Sequence, residues 1–177
     1  MKKTDLNNYF KSHYDYLDSE DFSGIFRLVT DIVGKILNKS RAGILLGLVE
    51  LGYDRGNFIG GFYRVGTNEI YLNKSALRIM KQESKTDLYK AYIFHLLLHE
   101  YIHATGENSE YETQRLTKQL SLTLFGRHHP VGKLAIFGLG SFFPYDFYQE
   151  RYSPSPTEIL NPEFILLRHR DSELTYI

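Results

Sequence analysis

The 177-residue chain contains no cysteine. A disulfide framework is excluded, and thiols say nothing about compartment. An excess of either charge is also missing, because 21 basic residues balance 21 acidic ones. A nucleic-acid interface would show as a basic excess or stripe, so no such partner is expected. Long hydrophobic runs are absent too. The longest, Leu134 to Phe143, is too short and too rich in glycine to span a bilayer. The opening residues Met1-Lys2-Lys3-Thr4-Asp5-Leu6-Asn7-Asn8 lack the apolar segment of a signal peptide. These absences make a cytoplasmic protein without membrane contact the expectation. No internal repeat is visible, and the length suits one domain over residues 1–177.

Apolar periodicity organises the rest. Residues 5–20 are polar and partly helical. Phe22, Ile25, Phe26, Val29, Val33, Ile36 and Leu37 recur at the helical period and predict a helix over 22–38. Residues 41–50 read as a strand, with a Leu-rich centre that leaves helix open. Residues 57–65 and 69–72 read as a hairpin across Gly66-Thr67-Asn68. A short helix follows from Asn73 or Ser75 to about Gln82, His128-His129-Pro130 opens a further segment to about Phe143, and Phe164–Arg168 reads as a short strand. Pro154, Pro156 and Pro162 make the stretch 152–162 irregular. The fold class is α+β with helices dominant.

Chemistry concentrates in His99-Glu100-Tyr101-Ile102-His103, an H-E-x-x-H pattern. Side chains four apart on a helix share one face, so both imidazoles can grip one metal ion. The glutamate can reach a water activated by that metal and act as general base, the arrangement of a zinc-dependent hydrolase. With 7 His and 12 Glu, roughly 2% of shuffled chains would contain the pattern, so its context matters. The run Thr86 to Ala104 has no Gly or Pro, starts with the capping signal Ser84-Lys85-Thr86-Asp87, and stops before Gly106. Apolar residues nearly surround Tyr92–Ile102, which predicts a buried helix. Buried histidines and a buried glutamate need partners, and a metal with its water supplies them.

A catalytic zinc usually takes three protein ligands. After Gly106 a second helical pattern, Ser109 to Phe125, carries Glu110 and Glu112, and Glu107 lies in the turn. Ser109 and Glu112 form a capping box, which would occupy Glu112 at the Ser109 amide. Glu110 has no such local duty and is the preferred third ligand, with Glu112 and Glu107 as alternatives.

Taken together, His99–His103, the Ala104-Thr105-Gly106 turn and the nearby glutamate helix resemble the gluzincin metallopeptidases, most of all the small soluble minigluzincins. The upstream segment 60–73, ending Asn68-Glu69-Ile70-Tyr71-Leu72-Asn73, is similar to the strand-turn-strand that precedes the metal helix in that family. The resemblance covers residues 41–126. It implies a zincin-like fold: a small antiparallel sheet packed on a metal-binding helix and a glutamate helix, with an extra N-terminal helix. It further implies zinc as cofactor, an edge strand that aligns an extended peptide or protein substrate, and Glu100 as the catalytic base. The family-related pattern Glu-x-x-Ala-Asn is only approximated by Glu110-Tyr111-Glu112-Thr113-Gln114. The metzincin variant would need a ligand at position 109, where serine stands.

Other residues invite roles. One straight helix cannot wrap His95, His99 and His103 around one ion, because the outer two lie ~12 Å apart along the axis. His95 therefore reads as a core residue or a support to the ligands. His128 and His129 could stabilise an oxyanion from the end of the glutamate helix, or simply complement a helix dipole. Tyr145, Tyr148 and Tyr152 are weaker oxyanion candidates. The core spans about 22–147, and the irregular segment 148–177 could cover the cleft and keep the enzyme latent, like a zymogen. A catalytically silent domain, its metal closed by a fourth protein ligand, is the alternative function.

Overall fold

A computed structural model describes residues 3–52, 59–83, 86–139, 142 and 161–167. The N-terminal region forms two helices, α1 (Lys3–Tyr16) and α2 (Phe22–Leu37). The Asp21 carboxylate accepts from the Gly24 amide at 2.8 Å and starts α2, while Asn38 in the left-handed region ends it. The periodic residues Ile25, Phe26, Val29 and Val33 are buried along one side of α2, as their spacing predicts.

Strand β1 (Leu45–Val49) follows, and its Leu-rich centre is strand rather than helix. Then come β2 (Gly61–Arg64) and β3 (Glu69–Asn73), joined by a turn at 65–68, and α3 (Lys74–Glu83). The last strand, β4 (Glu163–Ile165), begins one residue before the expected segment, and Arg168 lies outside the described residues. The sheet order is β2-β3-β1-β4. An entirely antiparallel sheet was the expectation, and the sheet is mixed instead: β1 and β3 run parallel, with Leu46 opposite Ile70 and Leu48 opposite Leu72. The cause is the placement of the hairpin. The β2–β3 hairpin docks with β3 against β1, a crossover that leaves β1 and β3 running the same way.

Asn73 secures that crossover. Its Nδ2 donates to the Gly52 and Ile59 carbonyls, both at 2.8 Å, and its Oδ1 accepts from the Leu51 and Ser75 amides. Full satisfaction permits a polar side chain with no exposed surface. On the outer sheet face Phe62, Tyr71 and Phe164 form an aromatic row. Gly47 lies beneath it, and a Cβ there would meet the Tyr71 ring at 2.7 Å. The opposite face, with Leu46, Ile70 and Leu72, joins the core.

Helix α4 (Thr86–Ala104) is the hub. It packs against α2, α3, β2 and β3 and against two later helices, α5 (Glu110–Phe125) and α6 (Pro130–Phe137). Tyr92, Ile93, Phe94, Leu97, Leu98, Tyr101 and Ile102 are all buried, which matches a helix apolar on most sides. Its predicted start at Ser84 and Lys85 lies outside the described residues. Its end is as expected. Gly106 takes φ +102°, and its amide returns to the His103 carbonyl at 2.9 Å. Arg41 clamps this end to the hairpin turn: Nη1 donates to the Ala104 carbonyl, Nη2 to the Thr67 carbonyl and Nε to Asn68 Oδ1, at 2.8–3.0 Å.

Candidate metal centre

His99 and His103 lie on α4, one turn apart, with ring centroids 4.9 Å from each other. Ser109 caps α5 by accepting from the Glu112 amide, which places Glu110 in the first turn. There Glu110 Oε2 stands 3.0 Å from His103 Nε2 and 3.4 Å from His99 Nε2. One donor atom from each of the three residues lies within 4.8 Å of the others. Zinc–ligand bonds of 2.0–2.1 Å in a tetrahedron separate neighbouring donors by about 3.3 Å. The separations to Glu110 bracket that value, so the three residues fit a small tetrahedral cation.

The other atoms of these residues are oriented to leave the donors free. His103 Nδ1 meets the Glu107 carbonyl at 2.7 Å and Thr113 Oγ1 at 3.3 Å, which directs Nε2 toward Glu110. The Gly106 turn brings that carbonyl into reach. Gln114 Nε2 donates to Glu110 Oε1 at 2.8 Å and leaves Oε2 for the histidines. Burial raises the Glu110 carboxyl, but Gln114, His99 and His103 outweigh it and hold the pKa below the usual value. Burial lowers His99, only partly opposed by the Glu110 carboxylate. Both shifts favour the ligating forms, a carboxylate and a neutral imidazole.

Glu100 is buried beside this group, 7% exposed. Its Oε2 accepts from the Tyr63 amide of β2 at 2.8 Å. Burial pushes its pKa up to about 7, against the lowering influence of the Tyr63 amide and of His103. A carboxyl poised near neutrality can both take and return a proton.

The glutamates separate clearly. Glu110 meets the histidines, whereas the Glu112 carboxylate pairs with Arg115 at 2.8 Å. The reciprocal half of the expected capping box is absent, because Glu107 Oε1 accepts from the Ser109 amide instead. His95 lines a cavity beside the centre and is no part of the group of three. His129 is placed elsewhere. It caps α6, its Nδ1 accepts from the Val131 amide, and its ring packs on Tyr14 and Phe125. It shares a small cavity with Lys90, which the helical rise puts about 13 Å from His99 along α4. His129 is neither in the group of three nor in the lining of the cavity beside it. His128 is exposed. Tyr145, Tyr148, Tyr152 and most of the 148–177 segment lie outside the described residues.

Several participants escape sequence reasoning: the Tyr63 amide, the Glu107 carbonyl, Gln114, and a buried row of Thr113, Thr117 and Ser121 on α5. Only the last leaves a trace in the sequence. Three hydroxyl residues at four-residue spacing run beside the stripe Leu116, Leu120 and Leu124.

No family model, curated protein or solved structure matches this chain. A site that could hold a metal ion thus stands on geometry alone. Among the described residues no helix is long and apolar enough to cross a membrane.

Proposed function

We propose that the chain is a zinc-dependent metallopeptidase of the gluzincin type, closest in design to the minigluzincins. The observation that carries this reading is the convergence of His99, His103 and Glu110 donor atoms with the buried Glu100 carboxyl alongside. In this reading His99 Nε2, His103 Nε2 and Glu110 Oε2 hold the zinc. When bound, the ion polarises a peptide carbonyl and acidifies a water. Glu100 takes the proton from the attacking water and delivers it to the leaving amine. Tyr63 holds that carboxyl in place through its amide. An extended peptide would lie along β2, an edge of the sheet among the described residues, and pair with groups other than the Tyr63 N–H that Glu100 holds.

The test is metal analysis of full-length protein purified without chelator or affinity resin. One zinc per chain is expected. Glu110→Ala should weaken zinc binding by more than about tenfold, and Glu112→Ala should leave it unchanged. Glu100→Gln should retain zinc and lose peptide hydrolysis. Protein that binds no divalent metal, or equal hydrolysis by Glu100→Gln, refutes the proposal.

A further inference from the structure

The cavity beside the metal centre is lined by polar residues that the proposed reaction does not use. It encloses about 650 Å³ and includes His99 and Glu100 in its lining. Leu96, Leu134 and Ile136 supply apolar wall. Thr117 lines it from α5 with only 1% of its surface exposed, and its Oγ1 has no hydrogen-bond partner. His95 lines it from α4, and its Nδ1 is likewise buried without a partner. Burial holds this imidazole uncharged, with a pKa of about 4.

Buried hydrogen-bonding atoms are normally paired, and two unpaired ones on residues that line a single cavity beside a candidate active site point to a ligand that reaches them. The chemistry of that ligand follows from its surroundings. Arg115 and Lys118 also line the cavity, but both are exposed, and Arg115 is held by Glu112. Exposed charges are screened and contribute little selectivity. The discriminating atoms are therefore the buried, neutral ones. A carboxylate pressed against them would lose its water without gaining a counter-charge. A thioether or alkyl group would leave them unpaired. A carboxamide can donate and accept there while its methylenes lie on the leucine and isoleucine wall.

We propose that this cavity selects a substrate residue with an apolar stem and an uncharged hydrogen-bonding head, glutamine fitting best, recognised by Thr117 and His95. The proposal rests on the peptidase reading above and names its substrate class. Titration calorimetry tests it, using the zinc-loaded full chain and three peptide-like hydroxamates that differ only in a glutamine, glutamate or methionine side chain. The glutamine compound should bind about tenfold tighter than the methionine compound. Thr117→Val, which keeps the shape, should erase that gap without changing methionine binding, and Thr117→Ser should restore it. Equal or tighter binding of the methionine compound overturns the selection and leaves the zinc reading standing. So does a gap that survives Thr117→Val. Tightest binding of the glutamate compound also overturns it and moves recognition to Arg115 and Lys118. Zinc-loaded protein that binds none of the three has a closed site, which overturns the peptidase reading together with the proposal.

Discussion

Glu100→Gln should make the metal-free protein more stable at neutral pH, by an amount that follows from the burial of Glu100. The folded chain holds this carboxyl at a pKa of about 7 against an ordinary value of 4.5, because burial disfavours its charge. Below about pH 4.5 the acid is protonated in both folded and unfolded chains, and no penalty applies. As the pH rises from there, the unfolded chain ionises first and stability falls. The loss is complete once the pH passes about 7. At about 1.4 kcal/mol per unit, the displacement corresponds to about 3 kcal/mol. Glutamine has nearly the same shape, stays uncharged and can still accept from the Tyr63 amide. The stability gap between Glu100→Gln and the parent should therefore widen by about 3 kcal/mol between about pH 4 and pH 8. Urea unfolding in the presence of a chelator measures it at each pH. A gap that stays flat would show that the carboxyl is not desolvated as its burial implies. The same substitution should abolish hydrolysis, so one side chain would be seen to trade stability for chemistry.

Two further perturbations probe the surroundings. His95 has the opposite dependence: its folded pKa of about 4 lies below the ordinary 6.5, so stability falls as the pH drops through that interval. His95→Leu should remove about 2 kcal/mol of the loss between about pH 8 and pH 5 in chelator-treated protein, and an unchanged pH profile would contradict the assignment. Arg41→Ala should cost about 2–3 kcal/mol in urea unfolding, since three carbonyl or amide oxygens lose a charged donor, and a loss below about 0.5 kcal/mol would show that the clamp is ornamental.

The centre was legible where its determinants are local. Helix α4, its stop at Gly106 and the Ser109 cap follow from residues within a few positions of one another, and they place His99, His103 and Glu110. The competition between Glu110 and Glu112 was also a local question, and Glu110 is the one that meets the histidines while Glu112 pairs with Arg115. Long-range choices were not legible. The parallel pairing of β1 with β3 depends on where the hairpin docks, which the alternation within each strand does not encode. The supports of the site are mostly backbone groups, the Tyr63 amide and the Glu107 carbonyl, and every residue type carries those. The capping role of His129 was not legible as such, because two histidines at a helix end suggest a free cation, whereas Pro130 makes His129 the N-cap of the next helix.

The bond from Tyr63 to Glu100 has a consequence for the protein in a crowded solution. Strand β2, Gly61-Phe62-Tyr63-Arg64, is short, aromatic and at the rim of the sheet, the kind of strand that recruits a neighbouring molecule. Its Tyr63 N–H, a socket for such recruitment, is already occupied by a side chain from within. The carboxyl thus withholds one edge donor from any neighbouring strand. Removing it with alanine, unlike replacing it with glutamine, should leave a chain that is inert and also prone to clump.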